Sequence, residues 1–404
     1  MNDKSIRASD IRGLAFFRPI MALLARLHQL HPSPNRTLHY DEYFLLLLLY
    51  YFNPTISSLR GLQQAAGLDN VKHSLQVPRV ALGTLSEAAH VFDPEPLRGI
   101  FRELAGTAFN SGIERPNGLP SDLRLLAVDG SLWEFLPRMA AYFWRSGPRS
   151  GPPPGFKAHL HFNLISGTPE DVEITPGYDS ERRCLERMLK ASALYVIDRG
   201  YCDFTLMQAI IDAESSFVGR AYDRLVYAVL APRELTAADR SAGVYFDAIA
   251  RVGSAPHADK LNRPLRVIKA RVLLPRQNGL NPKRGCGTDR HGAREEKLIE
   301  LVLVTDRQDL SAEDIVKLYR YRWHIEIFFR WLKCSMRCKH LLSECPNGFA
   351  LQLYAALIAN LLIMLWTGRK PTLRTLEMLQ FYLSGWATEE EVLGHIATLK
   401  TLAK

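Results

Sequence analysis

Asp129 and Asp198 each close a short apolar run, Leu125-Leu126-Ala127-Val128 before the first and Ala193-Leu194-Tyr195-Val196-Ile197 before the second. A buried strand that ends in a carboxylate must solvate it, hydrogen-bond it or neutralise it with a cation, so both acids are candidate ligands for a hard metal ion. Taken singly, each is also an ordinary turn aspartate, since Asp-Gly is a common turn signal. The third acid is Glu326, within Tyr319-Arg320-Tyr321-Arg322-Trp323-His324-Ile325-Glu326-Ile327-Phe328-Phe329-Arg330-Trp331-Leu332-Lys333. On a continuous α-helix Tyr319, Arg322, Glu326, Arg330, Lys333 and Arg337 share one narrow face, with Leu318, Ile325, Phe329, Leu332 and Met336 on the neighbouring one. Pairing of Glu326 with Arg322 and Arg330 would contribute only about 0.2–0.5 kcal/mol each and would leave the other cations unexplained. A carboxylate set in a row of Arg and Lys suits a nucleic-acid backbone held against a metal-binding acid.

The spacing Tyr-x2-Arg-x3-Glu-x6-Lys, met by Tyr319, Arg322, Glu326 and Lys333, resembles the signature of the insertion-sequence-four family of DDE transposases. Val128-Asp129-Gly130-Ser131 and Asp198-Arg199-Gly200-Tyr201 are similar to the surroundings of that family's first two acids, and the likeness runs from about Ser58-Leu59-Arg60 to Leu362. The resemblance implies a ribonuclease H-like core with a β insertion between the second Asp and the Glu. It implies that Asp129, Asp198 and Glu326 hold two Mg²⁺ ions, replaceable by Mn²⁺. Such ions, about 3.5–4 Å apart, activate the attacking oxygen and stabilise the leaving one. Tyr319, Arg322 and Lys333, with Arg330 and Arg337 on the same face, would grip the DNA backbone. The implied partners are double-stranded DNA, as terminal inverted repeats and as target, bound by a homodimer. Hairpin-forming relatives can stack a flipped base on a tryptophan of the β insertion. Here no Trp stands between Trp144 and Trp323, which leaves Tyr245 or Phe246 for such a role.

These residues need elements to carry them. Apolar residues recur at helical spacing over Leu14–His31 and Tyr40–Ala66, and Asp93-Pro94-Glu95-Pro96 starts a further helix toward Phe109, so residues 1–115 read as an all-α DNA-binding region. Gly112 to Ser121 reads as a linker. Leu125–Val128, Lys157–Ile165 and Asp171–Thr175 read as three successive strands, with a basic Gly/Pro loop at Arg145–Gly155. A helix at Ser180–Ala191, a strand at Ala193–Ile197, a helix at Phe204–Ala213 and a strand at Ser216–Gly219 follow. That order is the one of a ribonuclease H-like sheet. Strands at Gly243–Arg251, Leu265–Leu274 and Leu298–Thr305 make 222–305 a β-rich insertion, with a basic loop at Gly279–Lys297. A long helix starts after Ser311, capped through Asp314. The expected organisation is therefore α/β: an α-helical 1–115, a core of 116–221 and 306–366, the insertion, and a helical 367–404.

With 404 residues, 47% hydrophobic and 23% charged, the chain is long enough for two or three packed units. Its net charge of +9 favours a polyanionic partner. The sequence opens without a secretory signal pattern, and the runs Tyr43–Phe52 and Leu353–Trp366 fall short of the ~20 apolar residues of a membrane span, so a cytoplasmic protein with buried helices and no membrane partner is expected. The six cysteines show no disulfide framework and read as free thiols. Cys334, Cys338, His340 and Cys345 offer soft ligands without the spacing of a standard zinc module. His159 and His161 share one strand face and read as surface or hydrogen-bonded strand histidines. Two rivals stand beside the transposase reading: a nuclease that cuts without joining, and a DNA-binding protein without catalysis.

Overall fold

The computed structural model describes residues 14–401 apart from 31–35, 108–112, 114, 117–118, 135–154, 255–259, 274–297 and 344. The basic loop at Arg145–Gly155, up to Gly155 itself, the loop at Gly279–Lys297 and much of the expected linker lie outside the described residues. In chain order the elements are α1 (Leu14–Leu30), α2 (Tyr40–Phe52), α3 (Leu59–Ala66), α4 (Asp69–Leu75), α5 (Leu82–Val91), α6 (Glu95–Ala105), β1 (Arg124–Glu134), β2 (Gly155–Asn163), β3 (Thr168–Pro176), α7 (Glu181–Met188), β4 (Ala193–Ile197), a 3-10 turn at Arg199–Tyr201, α8 (Phe204–Asp212) and β5 (Ser216–Arg220). There follow β6 (Tyr227–Pro232), α9 (Ala237–Ser241), β7 (Val244–Val252), β8 (Leu265–Leu273), β9 (Leu298–Thr305), α10 (Ala312–Tyr321), α11 (Trp323–Arg330), a π turn at Trp331–Ser335, α12 (Pro346–Thr367), α13 (Leu373–Leu383) and α14 (Glu389–Thr401).

The chain divides into two compact units. One holds Met1–Ile113, Gly130–Asp179 and His324–Lys404, the other Glu114–Asp129 and Ser180–Trp323. The boundary crosses β1, so each unit owns half of that strand.

In the first unit α12 is the core. It is 22 residues long, longer than the expected Leu353–Trp366 run and apolar enough to cross a membrane, yet nearly every side chain from Gly348 to Met364 is buried. Helices α1, α2, α5 and α6 and strand β3 surround it, which satisfies a helix that is apolar all round. β2 and β3 pair antiparallel from Phe156↔Pro176 to Asn163↔Thr168. Gly155, which opens β2, must be glycine, because a Cβ there would stand 2.4 Å from the Trp133 carbonyl oxygen of β1. Arg102 of α6 fastens this pair to the helices through a two-pronged bond to Asp171, at 2.8 and 2.9 Å from one nitrogen. His159 and His161 of β2 are buried, not on the surface, and His159 Nε2 lies 2.8 Å from the Thr175 hydroxyl. α6 ends at Ala105, ahead of Gly106, short of Phe109.

In the second unit β1, β4 and β5 run parallel, with β1 and β5 flanking β4. β5 then pairs antiparallel with β9, and β9, β8, β7 and β6 continue as an antiparallel meander. Leu126 and Val128 of β1, Tyr195 and Ile197 of β4, Leu185 of α7 and Met207 and Ile210 of α8 share one apolar cluster. Across the other face lies α10, against β4, β5 and β7. Ser311 caps α10 by accepting the Asp314 amide at 3.0 Å, as the sequence led us to expect. β6 was not expected; five of its six residues are exposed, which marks it as an edge strand, and its Pro232 is tolerated there.

Two expectations need correction. Asp129 does not end its strand before a turn: β1 continues through it to Glu134. The run from Ser311 is not one helix either. It breaks at Arg322, resumes as α11, widens into the π turn and stops, with Arg337 at φ +57°. Arg337 therefore does not extend the helical face that carries Glu326.

Candidate active site

Parallel pairing of β1 with β4 runs Arg124↔Ala193 to Ala127↔Val196. Carried two residues past its last pair, the same register sets Asp129 toward Asp198, which follows the last residue of β4. Leu126, Val128, Tyr195 and Ile197 fill the core cluster on one face, so alternation turns both aspartates to the face covered by α10. Both are half-buried. Two carboxylates held side by side repel one another unless a cation or strong donors lie between them.

The second unit supplies donors. Asp198 Oδ1 accepts the Arg199 amide at 2.7 Å and the Tyr319 hydroxyl at 3.1 Å, while Oδ2 takes no hydrogen bond among the described residues. Tyr319 is 7% exposed. Burial first, and then the charge of Asp198, push its phenol up to about 12, so it remains a donor at neutral pH. Arg322, 8% exposed, lies with its guanidinium carbon 5.8 Å from the centre of the Tyr319 ring. Arg220 closes β5, and the pairing Ile197↔Gly219 brings it beside Asp198. Its charge is felt at Tyr319, and its side chain makes no ion pair or hydrogen bond among the described residues. Arg220 was missed because the strand was read only to Gly219, and a register with β4 is not visible in a linear pattern. Tyr201 was quoted only as part of the surroundings of Asp198. It packs in the apolar cluster, 1% exposed, with its hydroxyl buried and without a hydrogen-bond partner among the described residues.

In the first unit Glu326 is half-buried on α11. The helix is pinned by Phe328 against Phe162 and Phe329 against Trp133, with ring centres 5.3 and 6.2 Å apart. Arg330 is exposed. Lys333 is tied down: Nζ donates to the Leu132 carbonyl at 2.6 Å and lies 4.2 Å from the Trp133 ring centre, and burial lowers its pKa. Arg337 donates to the Asn53, Pro54 and Ile56 carbonyls at 3.3, 2.9 and 3.0 Å, which satisfies the end of α2 and the turn after it. The expected row of cations thus divides. Arg330 is open to solvent, whereas Lys333 and Arg337 already hold backbone.

Hard oxygen donors side by side, one oxygen of Asp198 left open, fit a small divalent cation better than a soft metal. Among the described residues no three His, Cys, Asp or Glu side chains gather at one point, and this includes Cys334, Cys338, His340 and Cys345. The five described cysteines are unbridged. In the β-rich part Tyr245 is exposed with the Arg271 guanidinium carbon 5.1 Å from its ring centre, while Phe246 packs beside the core.

Residues 120–362 match the family described as Transposase DDE domain, and the chain belongs to that family. It is 28% identical over 211 residues to a Sinorhizobium fredii protein named as transposase y4zB, covering 52% of each chain. It is 26% identical over 219 residues to one of Geobacillus stearothermophilus named as the transposase of insertion sequence element IS5377, covering 54% of this chain and 50% of that one. The chain thus spans about half the length of these two relatives. A third, named for element IS4SA of Synechocystis, is 20% identical over 82% of this chain and 84% of its own. A piggyBac transposase synaptic complex with hairpin DNA overlays at a TM-score of 0.39 and 11% identity, across 98% of this chain and 82% of the other, too distant a likeness to bear on the site.

Proposed function

We propose that the protein is the DNA transposase of an insertion sequence, which cuts at the element ends and joins the freed 3′ ends to target DNA by in-line phosphoryl transfer. The observation that carries this reading is the in-register pair Asp129 and Asp198 with Tyr319, Arg220 and Arg322 around it, in a chain of the DDE family. The strand runs β3-β2-β1 and β1-β4-β5, with β1 common to both, support a ribonuclease H-like core. The division into an α-helical 1–115 for end recognition, a core, a 222–305 insertion and a helical 367–404 belongs to the same proposal, as does action as a homodimer on paired DNA ends in the cytoplasm.

Asp129, Asp198 and Glu326 are the proposed holders of two Mg²⁺ ions, or Mn²⁺ in their place. When bound, these would supply Lewis-acid activation of the attacking oxygen and neutralise the leaving one. The protein's own groups orient the phosphate. Arg322 and Arg220 bring fixed positive charge, Tyr319 holds the Asp198 carboxylate in one orientation, and preorganised charge of this kind stabilises the charge that builds up at phosphorus. Arg330, and Lys333 with whatever donors the Leu132 carbonyl leaves over, complete the proposed DNA contacts, whereas Arg337, expected among them, is given over to the Asn53, Pro54 and Ile56 carbonyls.

The test uses purified full-length protein and DNA that flanks its own reading frame. Site-specific nicking that stops with EDTA and returns with Mg²⁺ is expected, as is joining of a pre-cleaved 3′ end to a second duplex. Nicking without joining would reduce the reading to a nuclease, and binding without nicking would sink it.

A further inference from the structure

Helix α13 buries Leu376, Leu379 and Tyr382 in the first unit, and four residues after Leu376, on the same face, comes Gln380, 9% exposed. Its side-chain amide has no hydrogen-bond partner among the described residues. A leucine there would pack as its neighbours do, whereas a buried amide without a partner costs stability and calls for an account. Gln380 lines a cleft of about 570 Å³, within the range of roughly 300–1,000 Å³ that small-molecule sites occupy. Leu45, Leu49 and Phe52 of α2 and Leu75 of α4 supply its apolar lining. The turn Asn53–Thr55 forms a wall that is fixed twice: Arg337 holds the Asn53 and Pro54 carbonyls, and Asn53 Oδ1 accepts the Thr55 amide and hydroxyl at 3.0 and 2.7 Å. At the mouth Trp386, 80% exposed, stacks on Phe381 with ring centres 5.9 Å apart. The backbone places that indole: the chain reverses at Gly385, φ +82°, and the Trp386 amide donates to the Phe381 carbonyl at 2.8 Å. None of the described residues that line the cleft is charged.

We propose that this cleft between α2, α4 and α13 binds a nucleobase, which stacks on the Trp386 indole and exchanges hydrogen bonds with the Gln380 amide. The neutral lining turns away phosphate, which would enter without a counter-charge. A primary amide carries a donor and an acceptor in one plane, the pattern that pairs with the polar edge of a base. An apolar side chain from a protein partner would fill the same space and leave Gln380 stranded. An exposed indole supplies the π face on which any base can stack. The site shares no residue with the candidate active site, so it goes beyond the cleavage reading and would stand in a protein that binds DNA without cutting it. The base can come from an unpaired stretch of DNA or from a free nucleoside.

The experiment titrates the full chain, Trp386→Ala and Gln380→Met into three probes that carry the fluorescent base 2-aminopurine: its free nucleoside, a single strand otherwise of thymidines, and a fully paired duplex. Thermal unfolding of the free proteins is measured alongside. Stacking on the indole should quench the nucleoside, the single strand or both, and leave the paired base of the duplex bright. Quenching of the strand alone assigns the site to unpaired DNA, and quenching of the nucleoside assigns it to a free base. Trp386→Ala should restore the fluorescence and weaken binding of the quenched probe by about tenfold or more. Gln380→Met, close in shape but without the amide, should weaken it by about tenfold and unfold at the same temperature or higher. Absence of quenching in all three probes overturns the proposal, and leaves the cleft to an apolar segment of a protein partner. So does an affinity that either substitution leaves unchanged, or a Gln380→Met that unfolds at a lower temperature. Nicking enters none of these readouts, so the transposase reading stands or falls separately.

Discussion

Two polar clusters lie in the second unit, and they are built to opposite rules. Between β7 and β8 the Arg266 guanidinium, 1% exposed, donates to both Asp247 oxygens at 2.8 and 2.6 Å and to the Leu310 carbonyl at 2.5 Å, with Arg233 3.6 Å from the same carboxylate. Each nitrogen of Arg266 is used. Around the end of β4, by contrast, one oxygen of Asp198 is open, Arg220 has no counter-ion and the Tyr201 hydroxyl has no acceptor among the described residues. A closed cluster fixes the register of the strands it joins, because breaking any one bond strands a buried charge. An open cluster does little for the free fold.

The largest expected effect falls on the open cluster. Asp129→Asn, Asp198→Asn and Glu326→Gln should each lower cleavage by about 10³-fold or more, at least ~4 kcal/mol of barrier, with end binding and unfolding temperature nearly unchanged. Ordinary cleavage by one of them would remove that residue from the site. Next comes the closed cluster: Asp247→Ala should cost about 3–5 kcal/mol in urea unfolding, because it leaves Arg266 buried without its partner. Cleavage per folded molecule should hold. A loss below about 1 kcal/mol would show that this pair is not the structural lock described here.

Smaller effects divide the cations. Arg337→Ala should lower stability by about 1.5–3 kcal/mol through its lost bonds to carbonyls, and leave the salt dependence of DNA binding alone. A flattened salt slope would instead make Arg337 a phosphate contact. Arg220→Ala should do the reverse. It should reduce the salt slope by about one phosphate contact and change stability by no more than about 0.5 kcal/mol. Should Arg220→Ala bind DNA with an unaltered slope, its lack of a partner would signify nothing about DNA.

What the sequence made legible follows from what each feature depends on. β4 and β9 begin and end where expected: β4 is a continuous apolar run stopped by Asp198, and β9 is apolar except for Glu300 up to its final Thr305. The acids Asp129 and Asp198 were found for the same reason, although the apolar run hid that β1 goes on past Asp129. β6 escaped because it is exposed and owes its order to pairing with β7 rather than to burial. Arg220 became visible only through register, which brings the end of β5 beside the end of β4, and Tyr201 only through the turn that follows Asp198. The cationic face was overread at its far end, because a constant 3.6-residue period was carried through Trp331–Ser335, where the helix does not keep it.

That π turn makes the distance between acid and lysine a matter of length as much as of residue type. Met336 N–H reaches back five residues to Trp331 O at 3.0 Å, and the Trp331 indole is anchored on Asn360 of α12. The turn amounts to one residue more than a regular helix would hold. Removing any one of its five residues should let the helix close regularly and swing all that follows by about 100°. Lys333 would leave the Leu132 carbonyl, and Arg337 the carbonyls behind α2. Alignments and engineered chimaeras across this stretch should therefore tolerate substitutions far better than single deletions.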